Sequence, residues 1–156
     1  MPSIANIHDV GSYITSAFGG AVSVTGGGSG DASEVSGGWV NRGVKKSAKV
    51  ILTYTATLAE GETLTLASNV QDATDSSGTG AADYGDSDES YSSAVVATGG
   101  TGGSTETGTV EYDIDLAGAN GYIQTQFTPT MSATTADTAV VAATIVLGGA
   151  DEYPVS

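Results

Sequence analysis

The amino-acid sequence predicts an all-β protein: an antiparallel β-sandwich or jelly-roll-like barrel of about six to eight strands joined by long glycine-rich loops. Three observations carry that expectation. Glycine occurs 23 times in 156 residues, Ser and Thr are abundant, and the straight-chain residues that favour long helices are scarce. Val110, Tyr112, Ile114 and Leu116 alternate with Glu111, Asp113 and Asp115, the period-two pattern of a strand with one buried and one wet face. Ala139 to Leu147 is apolar almost throughout, which suits a strand covered on both faces and central in its sheet.

The elements follow in order. Residues 1–33 are expected as an N-terminal arm and loop that folds alone or orders on assembly, and 34–156 as the sandwich domain. Ile4, Ile7, Val10, Tyr13, Ile14 and Phe18 are spaced for a short amphipathic helix or for an extended arm with apolar anchors. Gly11, Gly19 and Gly20 favour the arm. Ala21 to Thr25 reads as a short strand and GGGSGD as a loop. Lys49 to Thr57 is a strand with Val50, Leu52 and Tyr54 on one face and Ile51, Thr53 and Thr55 on the other. Thr63 to Val70 follows after AEGE, with Leu64, Leu66 and Val70 on a common face, and the two strands read as a β-hairpin. Residues 71–90 form a polar insertion with six acids, Ser92 to Thr98 another strand, and 99–108 a glycine-rich connection. Between the two terminal strands lies a short extended segment anchored by Tyr122, Ile123 and Phe127. Pro129, which has no amide hydrogen to donate, belongs there at a strand end or edge.

Composition excludes several function classes. The net charge of −14, from 18 acids against 4 bases, opposes nucleic-acid binding and favours solubility. With no cysteine there is no disulfide, thiolate metal site or cysteine nucleophile. No run approaches the roughly 20 apolar residues that span a bilayer, so no membrane partner is expected. The first residues lack a basic start followed by an apolar stretch, and synthesis and use in a cytoplasm are expected.

Chemistry is sparse. The single histidine, His8, has Asp9 beside it but no nucleophile motif, and the GGGSG and GGTGG runs lack the GK[ST] of a phosphate loop. Paired carboxylates for glycoside cleavage want an enclosing aromatic cleft, and aromatics are only 6% of the chain. No enzymatic activity and no cofactor are expected. Asp86, Asp88 and Glu89, with Asp72, Asp75 and Asp83 upstream, are weak calcium candidates whose spacing matches neither an EF-hand loop nor a glycine-rich nonapeptide repeat; a solvated acidic loop is the plainer reading. Arg42, Lys45, Lys46 and Lys49 are the only cationic Lys or Arg side chains and fall within eight positions. They read either as neutralisers of the chain's own acids or as a docking patch for an acidic surface, with Glu111, Asp113 and Asp115 as a counter-face on the same or the next subunit. Trp39, the lone tryptophan, reads as core, as subunit interface or as a sugar-stacking platform.

The succession SGGWVNRG, then KSAKVILTYTATLAEGETLTLASNVQDA, then GTVEYDIDLAGANGYIQTQFTPTMSATTADTAVVAATIVLGGAD resembles the tailed-bacteriophage capsid cement, or decoration, proteins over roughly residues 34–151. The most specific part is the acidic alternating strand, the LAGA turn, Y-I-x-x-x-F-T-P and the apolar strand ending in LGGAD. The resemblance implies a small all-β structural protein on the outside of an icosahedral head, synthesised in the bacterial host cytoplasm. Its partner would be the major capsid protein of the HK97-like fold, bound at three-fold or quasi-three-fold positions as a homotrimer. Many relatives carry basic residues beside the aromatic, where this chain has Asn120 and Gly121 before Tyr122, which makes Arg42 to Lys49 the sole cationic docking candidate. Two other readings compete: a calcium-dependent extracellular adhesin or surface-layer module, and a tail-fibre or carbohydrate-binding module.

Overall fold

The computed structural model describes residues 11, 13–85, 90–132 and 136–149. Ten strands run through them: β1 (Thr15–Thr25), β2 (Val35–Ser36), β3 (Val40–Asn41), β4 (Ser47–Leu58), β5 (Thr63–Ala73), β6 (Ala82–Tyr84), β7 (Tyr91–Thr98), β8 (Ser104–Asp115), β9 (Tyr122–Met131) and β10 (Thr138–Gly148). All strand pairs are antiparallel. One sheet has the order β1-β10-β4-β8; in the other, β9 and β5 are central, with β2 and β3 along the free side of β9 and β6 and β7 along the free side of β5.

β2 and β3 are successive pieces of one interrupted strand, as are β6 and β7. Merging each pair leaves eight strands, ordered first-eighth-third-sixth in one sheet and second-seventh-fourth-fifth in the other. That is a jelly roll, two sheets packed face to face with Greek-key connections.

Alternation decides what the two sheets bury. Val50, Leu52 and Ala56 of β4, Leu64, Leu66 and Val70 of β5, Ile123 and Phe127 of β9, and Val141, Ala143 and Ile145 of β10 are almost fully buried and form one cluster. On β8, Tyr112 and Ile114 join it, as does Leu116 just beyond the strand, while Glu111, Asp113 and Asp115 face solvent. The outer face of β4 and β8 is a wet array of paired threonines: Thr53 opposite Thr109, Thr55 opposite Thr107 and Thr57 opposite Thr105. A β-branched side chain with a hydroxyl suits such a face, since it favours strand backbone and tolerates water.

Several sequence expectations are corrected. β4 and β5 are not a hairpin: β4 pairs with β10 and β8, and β5 with β9, β6 and β7. The loop at residues 59–62 carries the chain from one sheet to the other, so their apolar faces oppose each other instead of lying side by side. β10 is central in its sheet but covered on one face only, with Val140 54% exposed on the other. Within residues 1–33, expected as an arm and loop with a short strand at Ala21 to Thr25, that strand is present but longer: β1 runs from Thr15 to Thr25 as an edge strand along the whole of β10. The extended segment around Phe127 is the ten-residue strand β9. Strand also claims residues 71–73 of the polar insertion and 104–108 of the glycine-rich connection.

Pro129 occupies β9 opposite Leu66, near the strand end. Its carbonyl accepts from the Ala32 amide, so its nitrogen points to that same side, away from β5 and beyond the reach of β2. No ladder donor is missed there.

Two tyrosines tie the sheets together. The Tyr54 hydroxyl donates to the Val96 carbonyl at 2.6 Å, from β4 to β7. Ser68 Oγ donates to the Gln126 carbonyl at 2.7 Å, so at 2.8 Å from Tyr112 Oη it must accept the tyrosine proton. Burial pushes the Tyr112 phenol up to about 12. An acid whose folded pKa is raised stabilises the fold in its neutral form. That contribution is complete below about pH 10 and fades as pH rises towards about 12, with a ceiling of about 3 kcal/mol. The expected outcome is an alkaline loss of stability between those limits that is steeper in the wild type than in Tyr112→Phe, read by urea titration at stepped pH.

Candidate functional site at the Trp39 and Arg42 end

The segment from Val35 to Asn41 runs beside β9 with one residue too many. Ser36 pairs with Gln126 and Val40 with Ile123, so Gly37, Gly38 and Trp39 stand opposite Gln124 and Thr125 alone. This is a β-bulge, the device that re-aims a side chain at a sheet edge. Glycine is required in it. A Cβ on Gly37 would fall 2.6 Å from the Gly19 carbonyl oxygen, because β1 and the bulge approach backbone to backbone where the two sheets meet. The bulge turns Trp39 onto the β5–β6 turn, where its indole covers Gly78, a residue with φ of +80°. Trp39 is half-buried there. A side chain at position 78 would collide with the ring, its Cβ 2.8 Å from Nε1.

Arg42 follows β3 and organises this end. Its guanidinium donates at 2.8 Å to the carbonyls of Asn120, Lys45 and Ala119, spending Nε, Nη1 and Nη2 in turn. The Arg42 amide also donates to Gly121, and Asp72, 7% exposed, accepts from the Asn120 amide at 2.7 Å. The 116–121 loop is thus held from both sides. Leu116 donates to the Lys46 carbonyl, Ala117 to Asp115 Oδ1, and the Tyr84 hydroxyl to the Asp115 carbonyl. Charge-assisted bonds from one planar, permanently charged group suit carbonyls that diverge from a loop.

The other cations are spread through the same region. Lys45 is 9% exposed and its Nζ donates to the Tyr13 carbonyl at 3.0 Å. The Lys46 amide donates to the Gly148 and Gly149 carbonyls, closing the end of β10. Lys49 lies opposite Asp113 on the outer sheet face, with Nζ 2.8 Å from Asp113 Oδ1 and 3.5 Å from Glu111 Oε1. The hydrogen bond to Asp113 chiefly holds the ammonium above the usual lysine value; desolvation opposes it, and the Asp113 and Glu111 charges add to the rise. The pairing of Lys49 with the acidic face therefore occurs within one subunit.

The acids considered for calcium are divided. Asp86, Asp88 and Glu89 lie outside the described residues, as does His8. Asp72 serves Asn120, and Asp83 Oδ1 accepts from Asn69 and Gln71. Asp75 closes the turn beside Trp39 by accepting from the Ser77 and Thr79 amides, and its bonds to Thr79 hold its carboxyl below the usual range. Among the described residues no group of three or more His, Asp or Glu is placed to hold a metal.

The sequence reading missed Val44. It is 59% exposed at the apex of the turn that Arg42 braces, next to Gly43 with φ of +55°. An apolar residue amid N-R-G-V-K-K was the available signal. Ile14, 42% exposed, stands beside Gly148 at this same end.

No model of a known protein family matches the chain, and no curated protein sequence matches it. Among solved structures, that of infectious bursal disease virus Gx strain is similar with a TM-score of 0.48 and 10% identity, covering 90% of this chain and 34% of that chain. A structure described as CBM4 gives 0.37 and 14%, covering 82% and 66%. The enzymatically active domain of bacteriophage CBA120 tailspike protein 4 gives 0.40 and 12%, covering 85% and 19%. The chain thus spans about a third of the viral chain's length.

Arg42→Ala should cost about 2–3 kcal/mol by stranding loop carbonyls, and Arg42→Lys should recover little of it, because an ammonium cannot reach all of them at once. Lys49→Ala, by contrast, should leave the melting temperature nearly unchanged. Differential scanning calorimetry of the variants checks both.

Proposed function

We propose that the protein is a virion structural protein that decorates the outside of an icosahedral phage head and bridges major capsid protein subunits, with the Trp39–Val44 end as its docking surface. One observation carries the reading. SGGWVNRG and LAGAN, two segments within the decoration-protein resemblance, meet in space, and Arg42 of the first holds the carbonyls of Ala119 and Asn120 in the second. Motifs far apart in the chain build one rigid tip.

The physics of that tip suits docking. Its loops are braced by side-chain bonds to backbone, so little conformational entropy remains to be lost on binding. Val44 and the half-buried Trp39 offer apolar area at the centre, and exposed Asn41, Asn120 and Gly121 offer a polar rim. Arg42 and Lys45 act as its internal braces, and the contact area comes from the residues they present. Surplus negative charge over the rest of the molecule keeps free copies soluble.

A protein that binds the assembled shell and not its dissociated subunits raises shell stability by mass action. Three copies around a three-fold axis would multiply a weak contact by effective concentration. The reading requires no chemical step and no cofactor.

Purified protein mixed with heads stripped of surface proteins should appear by cryo-EM at three-fold or quasi-three-fold positions. Val44→Asp should cut occupancy at least tenfold while the isolated protein melts as before. Bare heads with the wild-type protein, or density on tails alone, would overturn the assignment.

A further inference from the structure

A row of unpaired amides and carbonyls along a strand invites another strand, and folds usually blunt such edges. This molecule blunts its edges unevenly. The free side of β1 is covered by the chain itself: the Thr25 amide donates to the Ser29 carbonyl, Gly30 lies against the Ser23 carbonyl, and Gly37 against that of Gly19. The outer strands of the second sheet are broken into β2 and β3 on one side and β6 and β7 on the other, and β7 shifts register twice against β5. β8 has neither protection. It ends its sheet and pairs with β4 from Ser104 to Asp115 without a bulge. It contains no Pro, Lys or Arg.

Two hydrogen bonds fix which way the β8 backbone points. The Leu116 amide donates to the Lys46 carbonyl on the β4 side, and the Asp115 carbonyl accepts from the Tyr84 hydroxyl on the other. Successive residues of a strand turn their backbone groups to opposite sides. Thr105, Thr107, Thr109, Glu111 and Asp113 therefore present amide and carbonyl to the open edge, where no strand among the described residues pairs with them. The two halves of this edge differ. Glu111, Asp113 and Asp115 line one half, and their charge repels a second acidic copy. Along the other half the outer face carries only Thr105, Thr107 and Thr109, all exposed. The one acid there, Glu106, lies on the opposite face by alternation, and its Oε1 accepts from Ser104 Oγ at 2.6 Å.

From this geometry we infer that residues 104–110 of β8 pair antiparallel with the same residues of a second copy, about a two-fold axis at Thr107. That register sets Thr107 opposite the partner's Thr107, Thr105 opposite the partner's Thr109, and Glu106 opposite the partner's Gly108. No acid faces an acid, and β-branched hydroxyl side chains meet in cross-strand pairs. The ladder adds about six hydrogen bonds and joins two four-stranded sheets into one. The occupant is a second copy because the stretch is self-complementary: two molecules of net charge −14 can meet where neither turns a carboxylate outward. Seven residues at about 3.4 Å each, on sheets about 10 Å apart, bury on the order of 1,000 Å² in total, the lower end for a specific interface. The dimer is therefore weak, with a dissociation constant in the micromolar range. The Trp39–Val44 tip lies beyond the Asp115 end of β8 and stays open. The inference does not rest on the capsid reading, and the failure of either leaves the other standing.

Sedimentation velocity of the full-length protein over roughly 1 to 500 μM tests it. The wild type should pass reversibly from monomer to dimer. Thr107→Pro removes an amide that the β4 ladder does not use, so the monomer keeps its pairing while the dissociation constant rises at least tenfold. Thr107→Glu puts like charges opposite each other across the axis, should have the same effect, and serves if the Pro variant does not fold. The chain has no cysteine, so Thr107→Cys introduces a single thiol. Across the axis the two Cα atoms would stand about 5.5 Å apart, within disulfide reach. Mild oxidation should link Thr107→Cys into dimers and leave Thr25→Cys, at the far edge of the same face, monomeric. A wild type that stays monomeric over the whole range, or that forms trimers, would overturn the inference. So would dimers that persist in a folded Thr107→Pro or Thr107→Glu variant, or oxidation that links Thr107→Cys no better than Thr25→Cys.

Discussion

Leu52 and Val141 from one sheet and Leu66 and Ile123 from the other are all fully buried in a single layer of side chains. Each sheet is stable only because the other covers it. A β-sheet with one apolar face must bury that face, and two such sheets pressed together satisfy the requirement with few residues. The constraint reaches outward. Inner positions must be apolar, outer positions must be wet, and connections must carry the chain between sheets. The buried polar atoms that cross the layer are paired: Tyr112 reaches Ser68, and Ser68 reaches Gln126. Those pairs fix the sheets' relative position where apolar contact alone would allow sliding.

The inner and outer faces were legible in the residues. Val50, Leu52, Leu64, Leu66, Val70, Tyr112 and Ile114 point inward as their alternation predicts, and the class of fold follows from them. Lateral pairing was not legible. Alternation says which face a residue occupies but carries no term for which strand lies beside it, so β4 and β5 looked like a hairpin although a jelly roll places them in different sheets. Runs rich in Ala and Val are ambiguous for a related reason. β10 is flanked on both sides, and its outer Val140, Ala142 and Val146 keep a strand-favouring character without being covered by a second layer. β1 was half hidden because its glycines at 19 and 20 read as breakers, whereas they permit a bulge and close contact with the neighbouring sheet edge.

The candidate site was legible as composition and not as geometry. Clustering of Arg42, Lys45, Lys46 and Lys49 in the sequence marks the region around one end of the sandwich where the cations gather. Their roles depend on where each side chain points. Arg42 binds backbone carbonyls, Lys45 is buried on Tyr13, and Lys49 meets Asp113 across a β ladder. Spacing along a sequence cannot separate a cation that presents itself to a partner from one that braces its own loop. The two ends of the sandwich also differ in a way composition hides. One collects all the Lys and Arg side chains, and the other keeps a buried carboxylate without any. Jelly rolls place their variable loops at these two ends, so distinct tasks at each end need no change to the shared core.

The central claim is that the braced Trp39–Val44 tip is the surface that meets a capsid. Hydrogen–deuterium exchange on free protein and on protein bound to heads tests it most directly. The account predicts that amides at residues 38–46 and 117–122 slow on binding while those of the exposed outer sheet face are unchanged. Protection confined to the outer face of β4 and β8, or no protection in the presence of heads, would contradict it.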